Sequence, residues 1–104
     1  MDYQVDWSPE AIEDVEAIAE YITRDSEFYA GAVVSKILEL ARGLSRFPGA
    51  GRVVPELGDE SIRERFAYSY RLIYRIGREK VLVVAVIHGK RLLKAIEERF
   101  RATK

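Results

Sequence analysis

The residues best suited to chemistry are cationic side chains in the second half of the chain, on predicted strands and just after the last one. They are Arg63, Arg65, Arg71, Arg75, His88, Lys90 and Arg91. Neighbouring strands lie about 4.8 Å apart, so we expect these groups to converge on one face of the sheet. Guanidinium groups bind phosphate through paired donors, and a nearby histidine is a natural general acid or base. This pattern predicts metal-free phosphodiester cleavage.

A structural role is the alternative for the same residues. The arginines would then face solvent from their strands, and His88 would close a turn, which is the commoner role for a single histidine. Tyr68, Tyr70 and Tyr74 lie between the arginines, as do the aromatic platforms of single-stranded RNA sites. Tyrosine is also a favoured strand residue, so we expect Tyr74 to pack in the sheet. Both roles stay open for Tyr68 and Tyr70.

Other chemistries are excluded by composition. The chain has no cysteine, which rules out disulfides, zinc–thiolate sites and a thiol nucleophile. It has one histidine, which rules out a metal site with two histidines. Gly49 and Gly51 precede a loop rather than a helix, so they form no phosphate-binding loop. We therefore expect no cofactor and no metal.

The formal net charge is zero, but the acidic and basic residues are concentrated in different parts of the chain. Residues 1–60 carry 13 acids and 5 bases, a net charge of −8, and residues 61–104 carry 4 acids and 12 bases, a net charge of +8. The first 23 residues hold seven acids and no base. A folded chain of this kind is expected to present one basic face to a polyanion or to an acidic partner. The alternative is a pair of solvated faces that merely differ in charge.

A cytoplasmic protein without membrane contact is expected. The first residues lack the basic and apolar regions of a signal peptide, and the longest apolar run, residues 81–87, is too short to cross a bilayer. At 104 residues the chain is expected to form one domain, residues 1–104.

The hydrophobic pattern predicts an α+β fold. Residues 3–7 alternate as in a half-buried strand, Ser8 and Ser26 cap two amphipathic helices, and residues 47–58 form a loop. Three strands follow at residues 62–68, 70–76 and 81–87, with a tight turn at Gly77 and Arg78. A short helix containing Leu92, Leu93, Ile96 and Phe100 ends the chain. The expected fold is an antiparallel-rich sheet with a helical hairpin packed on one face.

Five sequence segments together resemble the RelE/ParE toxins of type II toxin–antitoxin systems. They are residues 7–11 (WSPEA), 47–52 (FPGAGR), 54–57 (VPEL), 70–75 (YRLIYR) and 86–91 (VIHGKR). The resemblance extends over residues 3–93 in the family's order, and it is strongest to the ParE branch. It implies the α+β fold outlined above and a growth-inhibiting toxin that a cognate antitoxin neutralises, with a hetero-oligomer of the two as one outcome.

The resemblance leaves the target open. ParE-like members inhibit DNA gyrase through protein contact, whereas RelE-like members cut mRNA on the ribosome without metal. In the RelE case Arg71, His88 and Arg91 would be catalytic, and only in that case would the protein be an enzyme. Some RelE-like members carry a tyrosine where this chain has Glu97, whose charge would repel a phosphate. This difference favours gyrase.

The other cationic residues have a binding role in either case. Arg52, Arg63, Arg65, Arg75 and Lys90 are expected to form a surface for phosphate, gyrase or antitoxin. A third possibility is a degenerate toxin that binds only its antitoxin and an operator.

Overall fold

The chain folds into a five-stranded mixed sheet with helices on both faces. The computed structural model describes residues 2–90 and 94–102. In chain order the elements are β1 Gln4–Trp7, α1 Pro9–Thr23, α2 Glu27–Gly43, a 3-10 turn Pro48–Ala50, β2 Arg52–Val53, β3 Ile62–Ala67, β4 Tyr70–Ile76, β5 Lys80–His88 and α3 Lys94–Ala102. The predicted α+β fold is confirmed.

The sheet has the strand order β1-β5-β4-β3-β2. β1 pairs in parallel with β5, and every other pairing is antiparallel. The pairing of β1 with β5 covers only residues 80–83 of the longer strand. β4 and β5 pair along nearly their whole lengths, with one irregularity at which Ala85 faces Ile73 and Val83 faces Tyr74. Val84 therefore forms a β-bulge, which shifts the alternation of β5 by one residue.

Two helices cover one face of the sheet, here called the hairpin face. Ser8 Oγ accepts a hydrogen bond from the amide of Ala11 at 3.1 Å, and Ser26 Oγ accepts one from the amide of Tyr29 at 3.1 Å. These caps satisfy amides that have no partner inside their helices, and both were predicted. The buried core on this face includes Ala11, Ile22, Val33, Ile37, Leu72, Tyr74, Val81, Val83 and Val86.

The short helix α3 covers the opposite face, here called the α3 face. Ile96 and Phe100 pack there with Val54, Ile62, Ile73, Val84, Ala85 and Ile87. The predicted apolar stripe is thus confirmed for Ile96 and Phe100, while Leu92 and Leu93 lie outside the described residues. A second core explains why β5 is apolar on both sides. Within residues 2–90 and 94–102, no helix is long and apolar enough to cross a membrane.

One connection differs from the sequence prediction. Residues 47–58 were expected to be loop, but Arg52 and Val53 pair with Glu64 and Arg63 to add a short edge strand. The tight turn predicted after β4 is present, and a hydrogen bond of 2.7 Å from the amide of Gly77 to the carbonyl of Lys80 closes it. Its left-handed residue is Glu79, with φ of 62°, and not a glycine.

Candidate functional site

A group of four charged side chains from three strands and a loop lies on the α3 face. Arg52 comes from β2, Glu64 from β3 and Arg71 from β4, while Glu56 lies in the loop after β2. Residues that face each other across strands share a face of the sheet, and Arg52 is paired with Glu64. We call these four residues the arginine–glutamate cluster. Sequence analysis singled out its two arginines but neither of its glutamates.

Arg71 is held by both glutamates and by the backbone. Its Nη2 lies 2.7 Å from Glu56 Oε2, and its Nη1 lies 3.1 Å from Glu64 Oε1. Nε and Nη2 also donate to the carbonyl of Gly89, at 3.3 and 3.2 Å. An arginine has five N–H donors, so these contacts leave little of the guanidinium available. The side chain is only 10% exposed.

Arg52 is the more open arginine of the cluster. Its Nε lies 2.6 Å from Glu64 Oε2, and the guanidinium carbon lies 5.3 Å from the centre of the Phe66 ring. Its side chain is 60% exposed, whereas that of Glu64 is completely buried. Glu64 therefore bridges the two arginines with one carboxylate, and the cluster of two cations and two anions has no formal net charge.

The ion pairs change the acidity of two members of the cluster. The hydrogen bond from Arg71 lowers the pKa of Glu56, although partial burial opposes this shift. The hydrogen bond to Glu56 in turn raises the pKa of Arg71 against the effect of its burial. Arg71 is therefore fixed as a cation whose charge is already matched by carboxylates.

The predicted convergence of the cations on one face is wrong. Tyr70 is paired with His88 and Arg71 with Ile87, and successive strand residues point to opposite faces. Arg71 therefore lies on the α3 face and His88 on the hairpin face. The same alternation places Arg63 and Arg65 on the hairpin face, because their partners are Tyr74 and Leu72.

His88 occupies an exposed position at the end of β5. Its ring lies edge-on to Tyr70, with 5.7 Å between the ring centres. Its Nδ1 accepts a hydrogen bond from the amide of Lys90 at 3.2 Å, the contact expected of a histidine that closes a turn. Lys90 is exposed. Arg91, the third residue of the predicted catalytic set, lies outside the described residues.

Arg63 and Arg75 both contact backbone carbonyls. Arg63 Nη1 donates to Gly51 at 3.1 Å, and its Nε donates to Glu60 at 3.0 Å. Arg75 shares a face with Arg71 but reaches towards α3, where its Nη2 donates to the carbonyl of Phe100 at 3.2 Å. Its guanidinium carbon also lies 5.7 Å from the centre of the Phe100 ring. These contacts are structural, and both residues remain partly exposed.

A second ion pair, which sequence analysis missed, joins α1 to α3. Arg99 Nη1 lies 2.7 Å from Asp14 Oδ2, and Arg99 Nη2 lies 3.2 Å from Asp14 Oδ1. Asp14 Oδ2 also accepts the amide of Val86 at 2.9 Å, and Arg99 Nη1 donates to the carbonyl of Val84 at 3.3 Å. β1 ends before these residues, so the ion pair satisfies strand-edge groups of β5 that no strand covers.

Tyr74 has the packing role predicted for it. Its side chain is buried, its hydroxyl accepts the amide of Gly51 at 3.0 Å, and it donates to the carbonyl of Pro48 at 2.6 Å. Burial raises the pKa of Tyr74, and burial also raises that of Tyr70. Tyr68 is exposed at the turn between β3 and β4, with its ring centre 5.9 Å from that of Tyr29.

No metal-binding cluster is present among the residues described: no three histidine or acidic side chains there lie close enough together to hold an ion. The charges of the arginine–glutamate cluster are paired with one another.

The sheet order, the helical hairpin and the sequence together define a toxin of the RelE/ParE superfamily. Over residues 5–101 the sequence matches the ParE toxin of the type II toxin–antitoxin system parDE. The match spans nearly the whole chain, and the protein belongs to this family. No curated protein sequence matches the chain.

Solved structures with the same fold come from several bacteria. The chromosomal ParDE toxin–antitoxin system from P. aeruginosa is 17% identical with a TM-score of 0.68, covering 83% of this chain and 95% of that one. The RelBE2 toxin–antitoxin complex from Mycobacterium tuberculosis is 24% identical with a TM-score of 0.60, covering 85% and 99%. The YoeB/ParE toxin from Agrobacterium tumefaciens is 22% identical with a TM-score of 0.58, covering 82% and 96%. These likenesses concern the fold.

Proposed function

We propose that this protein acts in the cytoplasm by inhibiting DNA gyrase through protein contact and that it cuts no RNA. The observation that carries the proposal is the arginine–glutamate cluster, in which Arg71 is buried and bound by two carboxylates. A ParE-like inhibitor needs no hydrolytic site. An arginine that is neutralised by carboxylates and that holds three strands together is consistent with such an inhibitor.

Cleavage of RNA would place conflicting demands on Arg71. A scissile phosphate would have to displace Glu56 and approach the buried carboxylate of Glu64, which would repel it. General acid–base catalysis also requires the proton-transferring group within hydrogen-bond reach of the reacting atoms. His88 and Arg71 lie on opposite faces of the sheet, which argues against both acting on one substrate.

The rival function is a RelE-like, ribosome-dependent mRNA endonuclease that uses Arg71, His88 and Arg91. Arg91 would then contribute more than Arg71 to stabilising the charged transition state, because Arg71 is already bound by carboxylates. Replacement of Arg91 by alanine is the sharper test of this rival, since Arg71→Ala also removes a partner of buried Glu64.

The proposed partner in the resting state is a cognate antitoxin. Similar structures from P. aeruginosa, M. tuberculosis and Staphylococcus aureus are toxin–antitoxin systems or complexes, one of them a YoeB–YefM heterotetramer. Lys90 is exposed, and Arg52, Arg63, Arg65 and Arg75 keep part of their surface in solvent. An antitoxin segment with acidic side chains would complement them, forming a hetero-oligomer.

Two assays on the purified toxin test the proposal. One measures supercoiling of relaxed plasmid by gyrase, and the other follows a defined mRNA by primer extension in a reconstituted translation reaction. We expect inhibited supercoiling and intact mRNA. Toxin premixed with its antitoxin is the control and should leave gyrase active.

The opposite results have distinct meanings. Cuts that require the ribosome and disappear in Arg91→Ala, with gyrase unaffected, would replace the proposal by the endonuclease. Activity in neither assay would point to a degenerate toxin.

A further inference from the structure

An apolar groove lies where β1, α1 and α2 meet. It is lined by Trp7, Ile12, Val15, Glu16 and Leu38 and encloses about 300 Å³. Ile12 and Leu38 are 48% and 40% exposed, so two large aliphatic side chains from adjacent helices are open to solvent at the groove. Exposed apolar surface of this kind, rimmed by polar residues, is typical of a protein-binding site.

The rim of the groove is acidic. Glu16 lines it, and Glu13 and Glu20 lie three and four residues away on the exposed side of the same helix. This spacing puts the three carboxylates in one row along α1. α1 itself contains no lysine or arginine, although Glu13 interacts electrostatically with Arg99 of α3. The groove therefore suits an apolar ridge flanked by basic side chains, and it does not suit a nucleic acid.

We propose that this groove is where the toxin contacts gyrase and that its occupant is a basic, apolar-faced segment of that enzyme. The inference rests on the function proposed above. An enzyme that binds and moves DNA carries basic surfaces that meet phosphates, and the acidic row of α1 complements such a surface. Complementary charge would raise the rate at which the toxin and gyrase associate, while the apolar floor of the groove would provide most of the binding free energy.

The groove shares none of its lining residues with the cations proposed to contact the antitoxin. All five of its lining residues precede residue 60 and so belong to the acidic part of the sequence. Of those cations, Arg63, Arg65, Arg75 and Lys90 come from the basic part of the chain, and Arg52 comes from the acidic part. Partners of opposite charge can therefore bind different surfaces of one small toxin.

Two substitutions test the groove, each with a matched control. Leu38→Asp places a charge on the apolar floor, and Phe47→Asp makes the same change at an exposed position outside the groove. Glu16→Lys reverses a rim charge, and Glu60→Lys reverses an exposed charge in the loop before β3. Gyrase inhibition and antitoxin binding are measured for every variant, and circular dichroism verifies folding.

We expect Leu38→Asp to raise the toxin concentration needed for half-inhibition of gyrase by about tenfold or more. Glu16→Lys should raise it several-fold and flatten its dependence on salt, because a rim charge acts mainly through long-range attraction. Both controls should stay near wild type, and all variants should bind antitoxin normally. If Leu38→Asp unfolds the protein, Ile12→Ala replaces it, since it shortens a half-exposed side chain.

The possible failures are distinguishable. If wild-type toxin leaves gyrase active, the proposed function fails and the groove inference falls with it. If wild type inhibits gyrase and the folded groove variants inhibit it equally well, only the groove inference is overturned. Loss of antitoxin binding in the groove variants would assign the groove to the antitoxin and would also overturn the inference.

Discussion

Replacing Glu64 by glutamine removes the charge at the centre of the arginine–glutamate cluster while keeping the side-chain shape. The buried carboxylate accepts hydrogen bonds from Arg52 at 2.6 Å and from Arg71 at 3.1 Å. A glutamine has one carbonyl oxygen, so one guanidinium would face an amide N–H instead of an acceptor. A hydrogen bond to a charged group contributes about 1.5–3 kcal/mol, and breaking a buried ion pair costs about 3–5 kcal/mol.

The expected loss lies towards the lower end of those ranges. Arg52 is largely exposed and regains water, and Arg71 retains Glu56 and the carbonyl of Gly89. We therefore expect Glu64→Gln to lower the free energy of unfolding by about 2–3 kcal/mol. Glu56→Gln is the matched control, because it breaks a 2.7 Å contact to the same arginine at a side chain that is 41% exposed. Its cost should be below about 1 kcal/mol.

Urea unfolding followed by circular dichroism measures both values. For a chain of this size 1 kcal/mol corresponds to about 4–8 °C in the melting temperature, so Glu64→Gln should melt about 10 °C or more below wild type. Equal losses in the two variants would refute the reasoning, because burial would then make no difference to the ion pair. A Glu64→Gln variant as stable as wild type would also refute the reasoning.

This prediction affects how Arg71 variants are interpreted. Arg71→Ala would leave buried Glu64 with Arg52 as its remaining partner in the cluster and would remove the ion pair of Glu56. The protein would lose stability whether or not Arg71 has a functional role. Toxicity lost in Arg71→Ala is therefore evidence about the target only when the free energy of unfolding is measured alongside it.

Three further predictions follow from individual contacts. Gly51→Ala should lower the urea midpoint by an amount equivalent to about 1–3 kcal/mol, because its Cβ would lie 2.5 Å from the carbonyl oxygen of Glu64; an unchanged midpoint would contradict this. Asp14→Asn should speed hydrogen exchange in α3, since it weakens the contact with Arg99; unaltered exchange would show that the ion pair does not hold the helix. The pKa of Glu56 is lowered from 4.5, so its contribution to stability is present above pH 4.5 and is lost as the pH falls through the folded-state pKa. The free energies of unfolding of wild type and Glu56→Gln should therefore become equal in acid. A difference between them that stays constant with pH would contradict this prediction.

The elements of the fold were predictable because their signals are local. Ser8 and Ser26 precede helical apolar stripes, and the alternation of residues 70–76 places Arg71 and Arg75 on one face. The two-residue strand β2 was missed because it has no pattern of its own and exists through its pairing with β3. The placement of α3 on the second face likewise depends on contacts between distant parts of the chain.

The arginine–glutamate cluster was harder to predict, because a charged residue between two arginines resembles a solvent-exposed strand position. Glu64 lies between Arg63 and Arg65, and its burial depends on strand register. One signal was available: Ile62 and Phe66 flank Glu64 at a spacing of two, which puts it on an apolar face. Its partner Arg71 could then have been sought on the neighbouring strand, but the choice of cross-strand neighbour requires the register itself.

Arg71 and His88 lie on opposite faces of the sheet because of the register between β4 and β5. Small structural changes would not alter this placement. Bringing His88 to the α3 face would require β5 to slip by one residue against β4, and such a slip exchanges the two faces of a strand. Ile87 would leave its core on the α3 face, and Val86 would leave the core beneath the hairpin. Each transfer would disrupt a packed layer, so Arg71 and His88 keep opposite faces of the sheet. A role for His88 in this toxin therefore has to be sought on the hairpin face, among the residues of α1 and Tyr70.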